Sequence, residues 1–370
     1  MTGSVLVVGG GIAGRAAARV LAGHGLECTV VERRASVGRG MGVNLPGNAV
    51  RALRSLDVPD EALASGVPVR RREYRNGRGR LLFAVDESRF WRDVAPPVCV
   101  RHGDLLQALA FPDQARVEHA RAVAARPTGP RVEVELDRAP LRLHDFVIGA
   151  DGVRSVMRAA LSDSVLRPST MTGSCWRFIA DNPGVDCWTA WSGREATFLL
   201  IPVGRGRVYG YAARTRGGDT GAEAAWLAQA AAPFPAVVSA AVAAALERGE
   251  LHHAVVEEVH LERWHAGRLV LIGDAAHATG PVWAQGVAMA LEDAIVLGGL
   301  LAATSPDGWD GVGAEFEALR RRRVDHVRAM TDKLSRLAAA PGPVRDLVGP
   351  LLGPRSYRQA YGPLRTAVTS

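Results

Sequence analysis

Apolar residues first gather over positions 4–8, a run of mostly β-branched side chains cut off at once by Gly9-Gly10-Gly11. A short run with no polar alternation reads as a strand buried on both faces. Residues 12–22 then carry small and apolar side chains at helical spacing, and a second apolar run over 28–31 ends in Glu32. The pattern predicts strand, glycine turn, helix, strand and acid. Two more buried-strand runs follow at 146–150 and 268–272, the first leading into Asp151-Gly152 and the second into Gly273-Asp274. After Pro281 a helical run covers 287–301. Between these blocks, 189–213 has the signature of a hairpin, its runs 197–201 and 207–212 joined by Pro202-Val203-Gly204-Arg205-Gly206. Residues 222–247 are alanine-rich and helical in propensity, interrupted by Pro233 and Pro235. Residues 315–337 form a charged amphipathic helix, and the tail beyond Pro341 is rich in proline and glycine.

Glycines at 9, 11 and 14 make G-x-G-x-x-G, and each has a physical task. Gly9 permits the tight turn, Gly11 lets backbone approach a pyrophosphate, and Gly14 lets the helix pack on the strand. Gly11, Ile12 and Ala13 open the helix, whose free N–H groups and positive dipole end suit phosphates. Glu32, 18 residues past Gly14, can accept hydrogen bonds from ribose hydroxyls, with Arg33 beside it. An acid at this place disfavours a 2′-phosphate, so the unit suits FAD or NAD better than NADP. A structural strand–helix–strand unit with an unused glycine turn is the alternative.

Composition narrows the class. The chain has 370 residues, 48% hydrophobic and 22% charged, enough for a buried core and two or three domains. The most apolar stretch, near 269–301, is interrupted by Asp274, His277, Gln285, Glu292 and Asp293, so no membrane span is expected. No signal peptide is read at the start, which leads directly into the first strand. Net charge is +7, and Lys333 is the only lysine among 45 basic residues. The basic clusters at 70–72 and 320–323 are short and flanked by acids, so no nucleic-acid partner is expected. Cys28, Cys99, Cys175 and Cys187 lack metal-ligand or C-x-x-C spacing, which fits a reducing, cytoplasmic location and no metal.

Three motifs in order (the glycine turn, Asp151-Gly152 and Gly273-Asp274) resemble the FAD-dependent aromatic hydroxylases, the class A flavoprotein monooxygenases, over about residues 4 to 330. The p-hydroxybenzoate, salicylate and urate hydroxylases belong to that family, the last two being the more similar in style. The resemblance implies an α/β fold: a Rossmann-like FAD-binding domain of the glutathione-reductase type, interleaved with a β-sheet-plus-helix substrate domain and followed by a C-terminal helix. The expected division is 1–68, 96–165 and 265–310 for FAD, 69–95 and 166–264 for substrate, and 311–370 for the helical segment. It also implies that Asp274 contacts the ribityl or ribose hydroxyls and that Asp151 supports FAD. Arg101, by the same resemblance, lies along the cofactor. Pro281 through Gln285 and Gly286 would pass beside the flavin ring, with Val287 opening a helix aimed at it. The family loop reads P-x-x-G-Q-G, whereas this chain has Ala284 in place of the first glycine. If that position needs positive φ or touches the ring, Ala284 strains the loop or crowds the flavin.

The implied reaction is hydroxylation or epoxidation of an electron-rich aromatic or polycyclic small molecule, with NADPH or NADH and O2 as co-substrates, through a C4a-hydroperoxyflavin. Trp176, Trp188, Trp191 and Trp283, with Tyr211, are candidates for a flat substrate pocket, although aromatics also fill cores. Tyr209 matches a substrate-contacting tyrosine of urate-hydroxylase-like members and is the candidate for a chemical role. The arginine that accompanies it there is matched by Thr197, so an anionic ligand is expected to lose its clamp. Two other readings stay open: a flavin-dependent dehydrogenase or cyclase, and a non-catalytic protein that binds a metabolite. A monomer or homodimer in secondary metabolism is the expected setting.

Overall fold

The computed structural model describes residues 3–34, 41–137, 139–161, 166–169, 172–215, 219–221, 223–281, 283–338 and 340–368. Ala222 and Val282, which belong to the helical run and the loop read above, lie outside them. The fold is α/β. Four apolar runs, Val5–Val8, Cys28–Val31, Phe146–Gly149 and Leu269–Leu271, form parallel strands of one six-stranded sheet. Val5–Val8 lies at its centre, in register with Phe146–Gly149 on one side and Cys28–Val31 on the other. Every residue of Val5–Val8 and of Phe146–Gly149 is buried, as expected when helices cover both faces of a parallel sheet. The helix Gly286–Ala303 packs here against the first helix, Ile12–Gly23, and is itself mostly buried. It is long and apolar enough to cross a bilayer, but two thirds of it is enclosed by protein.

A second, seven-stranded sheet runs in the order Leu251–Val255, Ser174–Asp181, Arg207–Arg214, Ala196–Gly204, Trp188–Ser192, Arg71–Asn76, Leu81–Asp86. Its pairings are antiparallel except that of Trp188–Ser192 with Arg71–Asn76. Helices Ala225–Ala231 and Ala236–Arg248 cover one face. The break between them falls at Pro233 and Pro235, with Pro235 at the N-cap of the second, where its fixed φ suits a helix entry.

The segment after residue 311 holds a long helix, Val312–Ala338, and then, against its proline and glycine content, a second helix, Gly342–Tyr361, that contains Pro350 and Pro354. Interior proline costs a helix about 3 kcal/mol or more, so tertiary packing must outweigh it. Gly353 lies so close to Phe83 that a Cβ there would sit 2.2 Å from its ring. Near the far end, the fully buried Arg72 and Glu87 pair at 2.6 Å. The Tyr357 hydroxyl donates to Glu87, and that of Tyr361 donates to the Trp283 carbonyl at 2.7 Å. The last helix is thereby fastened to the seven-stranded sheet and to the 281–286 loop together.

Candidate active site

The glycine turn is shaped by contacts that no side chain would permit. Gly9 has φ +110°, and a Cβ there would lie 2.3 Å from the Ala150 carbonyl oxygen; a Cβ on Gly14 would lie 1.8 Å from that of Gly9. Gly11 is different: nothing stands within 4 Å of its Cβ direction, and the space beyond is cavity. No side chain caps the N-terminus of Ile12–Gly23, so its first N–H groups are available to a ligand. Glu32, at the tip of the second strand, accepts from the backbone N–H of Gly10 at 2.6 Å and of Arg34 at 2.8 Å. Arg33 is exposed next to it.

The cavity measures about 940 Å³, near the upper end of the ~300–1,000 Å³ usual for ligand sites. Gly11, Ile12 and Ala13 line it, as do Asp274, Pro281, Trp283, Gly286 and Val287. Gly273 turns with φ +58° to start the short helix Asp274–His277, which aims the Asp274 carboxylate inward. Surrounding protein pushes the Asp274 pKa up, and the charges of His277 and Arg177 hold it back. The helix Gly286–Ala303 also lacks a side-chain cap. Gln285, its N-cap residue, turns its side chain away from the cavity and exchanges hydrogen bonds with Asn48 at 2.9 and 3.3 Å; it fixes the loop rather than presenting an amide to a ligand. Asp151 likewise acts as a brace, its Oδ2 accepting from the N–H groups of Val156 and Met157, while its buried Oδ1 has no partner. Arg101 is half-buried opposite Gly42 and occupies the N-cap position of the helix His102–Ala108 without a side-chain capping bond.

Ala284 adopts φ +53°, so the family glycine is replaced where left-handed backbone is required. Such a conformation costs a non-glycine residue ~1–2 kcal/mol, partly offset by the ~0.5–1 kcal/mol that glycine loses in extra unfolded-state freedom. Ala284→Gly should therefore stabilise the folded chain by up to about 1 kcal/mol. The checks are a small rise in melting temperature and FAD bound a few-fold more tightly; a lower value of either would contradict the strain.

Strand alternation sorts the aromatic candidates. Along Ser174–Asp181, Trp176 and Phe178 face the covering helices, as do Trp191 and Phe198 further across the sheet. Trp176 and Trp191 are thus core residues on the far side of the sheet and do not line the cavity. Trp188, Tyr209 and Tyr211 have the opposite parity and do. The Tyr209 ring packs directly over the Gly42 backbone, where a Cβ would be 2.4 Å away. Burial raises the Tyr209 hydroxyl to about 12, with Arg177 opposing, so it remains protonated near neutrality. Trp188, Tyr74 and Phe83 make a row with ring centroids 5.1 and 4.2 Å apart. Leu82, Leu334, Leu337, Val348 and Leu352 also line the cavity, with Arg75, Arg345 and Asp346 among them.

Three lining features escaped the sequence reading. Asn44 lies in the wall with both side-chain polar atoms buried and unpartnered; a polar residue inside the run Gly42-Val43-Asn44-Leu45 was the available signal. Arg177 shares the parity of the cavity face. The third is the last helix, which closes one side. The donor set suits FAD: two uncapped helix N-termini, an inward carboxylate between them, and an unsatisfied amide whose donor and acceptor match a flavin pyrimidine edge.

A family model described as FAD binding domain matches residues 2–332. The chain is 30% identical over 312 residues to aurachin C monooxygenase/isomerase of Stigmatella aurantiaca, covering 80% of this chain and 79% of that one. It is 29% identical to 2-heptyl-3-hydroxy-4(1H)-quinolone synthase of Pseudomonas aeruginosa, covering 99% and 98%. Among solved structures, Klebsiella pneumoniae HpxO complexed with FAD and uric acid superimposes with a TM-score of 0.79 at 24% identity, over 98% of this chain and 92% of that one.

Proposed function

Since this chain belongs to the FAD-dependent class A aromatic hydroxylases, we propose that it hydroxylates or epoxidises an electron-rich aromatic or polycyclic small molecule, using NADPH or NADH and O2. The observation that carries this reading is convergence. The uncapped starts of Ile12–Gly23 and Gly286–Ala303, the Asp274 carboxylate and the Tyr209 face of the seven-stranded sheet all border one cavity. FAD, when bound, supplies the redox chemistry: hydride acceptance from the nicotinamide and activation of O2.

The protein's part is binding, orientation and exclusion of water. Backbone N–H groups of Gly11, Ile12 and Ala13 would hold the pyrophosphate, Glu32 a ribose, and Asp274 the middle of the cofactor. Asn44 and the backbone at Gly286 and Val287 would hold the ring. The dipole of Gly286–Ala303 favours negative charge at its start. Tyr209, kept protonated, donates a hydrogen bond to a substrate oxygen or ring nitrogen and fixes which ring edge is presented. Trp188, Tyr74 and Phe83 offer flat apolar faces, and the last helix keeps solvent from that side. One relative is named for a 2-heptyl-3-hydroxy-4(1H)-quinolone; the aliphatic side chains of Leu82, Leu334 and Leu352 in the cavity lining accord with a fused ring bearing such a substituent. In this reading the six-stranded-sheet unit (1–68, 96–165, 265–310) serves the cofactor and the seven-stranded one (69–95, 166–264) the substrate. We place the protein in the cytoplasm as a monomer or homodimer; its four free cysteines accord with a reducing compartment.

The test is NADPH and NADH oxidation by the purified yellow protein with phenols, indoles and quinolones under isotopically labelled O2. One labelled oxygen in the product is expected. Turnover without label would replace the reading by a dehydrogenase or cyclase, and ligand binding without flavin reduction by a carrier.

A further inference from the structure

With the arginine of urate-hydroxylase-like members replaced by Thr197, the sequence leaves the cavity without an anion clamp. The structure supplies a cation from another strand. Arg177 sits in Ser174–Asp181, directly across from Tyr211 and two pairs away from the Ile179–Tyr209 match. Its parity is opposite to that of Trp176 and Phe178, so the guanidinium lies in the cavity wall. There its Nε is buried with no hydrogen-bond partner. Nη1 reaches the soft Sδ of Met41 at 3.6 Å, the Cys175 thiol is a further hydrogen-bond partner, and the other groups acting on the guanidinium are the Tyr209 and Tyr211 side chains. Burial and the guanidinium charge both push His102 and His252 towards their neutral forms. Asp274 is within electrostatic reach, yet among the described residues no carboxylate is paired with Arg177. A half-buried cation with no carboxylate paired to it is costly, and a ligand anion offsets that cost.

We propose that Arg177 is the specificity-determining cation of this site, and that the substrate carries an acidic group (a carboxylate or an acidic phenol or enol) that enters as its anion and pairs with this guanidinium. The proposal rests on the ring-hydroxylase reading and narrows its substrate class. Tyr209 and Tyr211, on the adjacent strand, line the same cavity, and Tyr209 is the neighbour that would share the anion. A fork of N–H donors also holds a planar carboxylate more specifically than a point charge would.

The experiment needs no turnover. The oxidised holoenzyme is titrated at neutral pH with matched pairs, salicylate and salicylamide, 4-hydroxybenzoate and 4-hydroxybenzamide, kynurenate and its carboxamide, and the flavin absorbance change gives each affinity. At least one acid should bind tenfold or more tightly than its amide. Arg177→Gln should erase that preference, and Arg177→Lys should retain part of it. Because the readout is an acid-to-amide ratio, a general loosening of the cavity cancels. Flavin content and melting temperature of both variants verify that they fold, and the lysine variant carries the test if the glutamine one does not. The proposal falls if Arg177→Gln keeps the preference, or if no acid in the panel is preferred. It also falls if the variant instead raises the KM for NAD(P)H tenfold with the ratio intact, which would assign the cation to the nicotinamide nucleotide. A protein that binds these acids yet incorporates no oxygen would sink the monooxygenase reading alone, so the two failures are distinguishable.

Discussion

Gly14→Ala should give a protein that loses both flavin and stability, whereas Gly11→Ala should lose flavin alone. At position 14 an added methyl would stand 1.8 Å from the Gly9 carbonyl oxygen and 2.9 Å from its carbon. Both are backbone atoms of the turn, so the clash is relieved only by lifting Ile12–Gly23 off the central strand. Overpacking of this kind costs ~1–3 kcal/mol or more, and the displaced helix start is the group that would hold the pyrophosphate. We expect FAD affinity to fall at least about a hundredfold, equivalent to ~2.7 kcal/mol, with a clear drop in the melting temperature of the flavin-free protein. At position 11 the added methyl meets no protein atom within 4 Å, so the flavin-free chain should melt like the parent while FAD binding weakens by an order of magnitude or more. Flavin fluorescence on titration and thermal melting without FAD measure both effects. Equal behaviour of the two variants would remove the distinction between a packing glycine and a ligand-approach glycine.

Arg320→Met should be the most destabilising single change outside the turn. Arg320 is fully buried, pairing through Nε with Asp293 at 2.8 Å and through Nη2 with Glu292 at 3.0 Å. Asp293 also accepts from the Gly273 N–H at 2.9 Å and meets His277 Nε2 at 2.6 Å. Removing one member of a buried ion network costs ~3–5 kcal/mol because the remaining charges stay buried. For a chain of this size that is a fall of about 5–10 °C or more. The same network sets an acid limit. Burial alone would raise the Asp293 pKa, but His277 and Arg320 outweigh it and hold the group at about 2. A folded-state pKa below the unfolded one gives stability that is complete above the unfolded carboxylate pKa, ~3.9. It is lost as pH falls from there through about 2. Arg320→Met should move the acid-unfolding midpoint to higher pH, and circular dichroism against pH measures it. An unchanged midpoint would mean that Arg320 does not hold Asp293 ionised. Since Asp293 also ties down the turn that presents Asp274, the variant should lose FAD affinity as well.

The glycine turn, Glu32 and Asp274 were legible in the sequence because each is local, whereas the bracing by Asp151 and Gln285 was not. A glycine whose Cβ has no room, an acid at a strand tip and an aspartate after a buried strand can each be recognised within a few positions. The substrate half was less legible because it is assembled by register. Trp176 and Trp188 look equivalent in the sequence, yet strand parity sends one into the helix-covered core and the other to the cavity. Arg177 drew no notice beside Trp176, although its parity alone distinguishes it. The helix Gly342–Tyr361 was hidden for a different reason: its prolines and glycines argue against a helix locally, and only distant partners such as Phe83, Arg72 and Glu87 reverse that preference.

The order of strands in the six-stranded sheet bears on how the chain is made. Phe146–Gly149 is complete 120 residues before the parallel strand Leu269–Leu271, with which it pairs, begins. At ~5–20 residues per second on a ribosome, that delay is roughly 6–24 s. Throughout that interval the unpaired edge of Phe146–Gly149 is open to foreign strands, a recognised aggregation hazard. Slower elongation should therefore cost soluble yield, and a holdase present during synthesis should restore it.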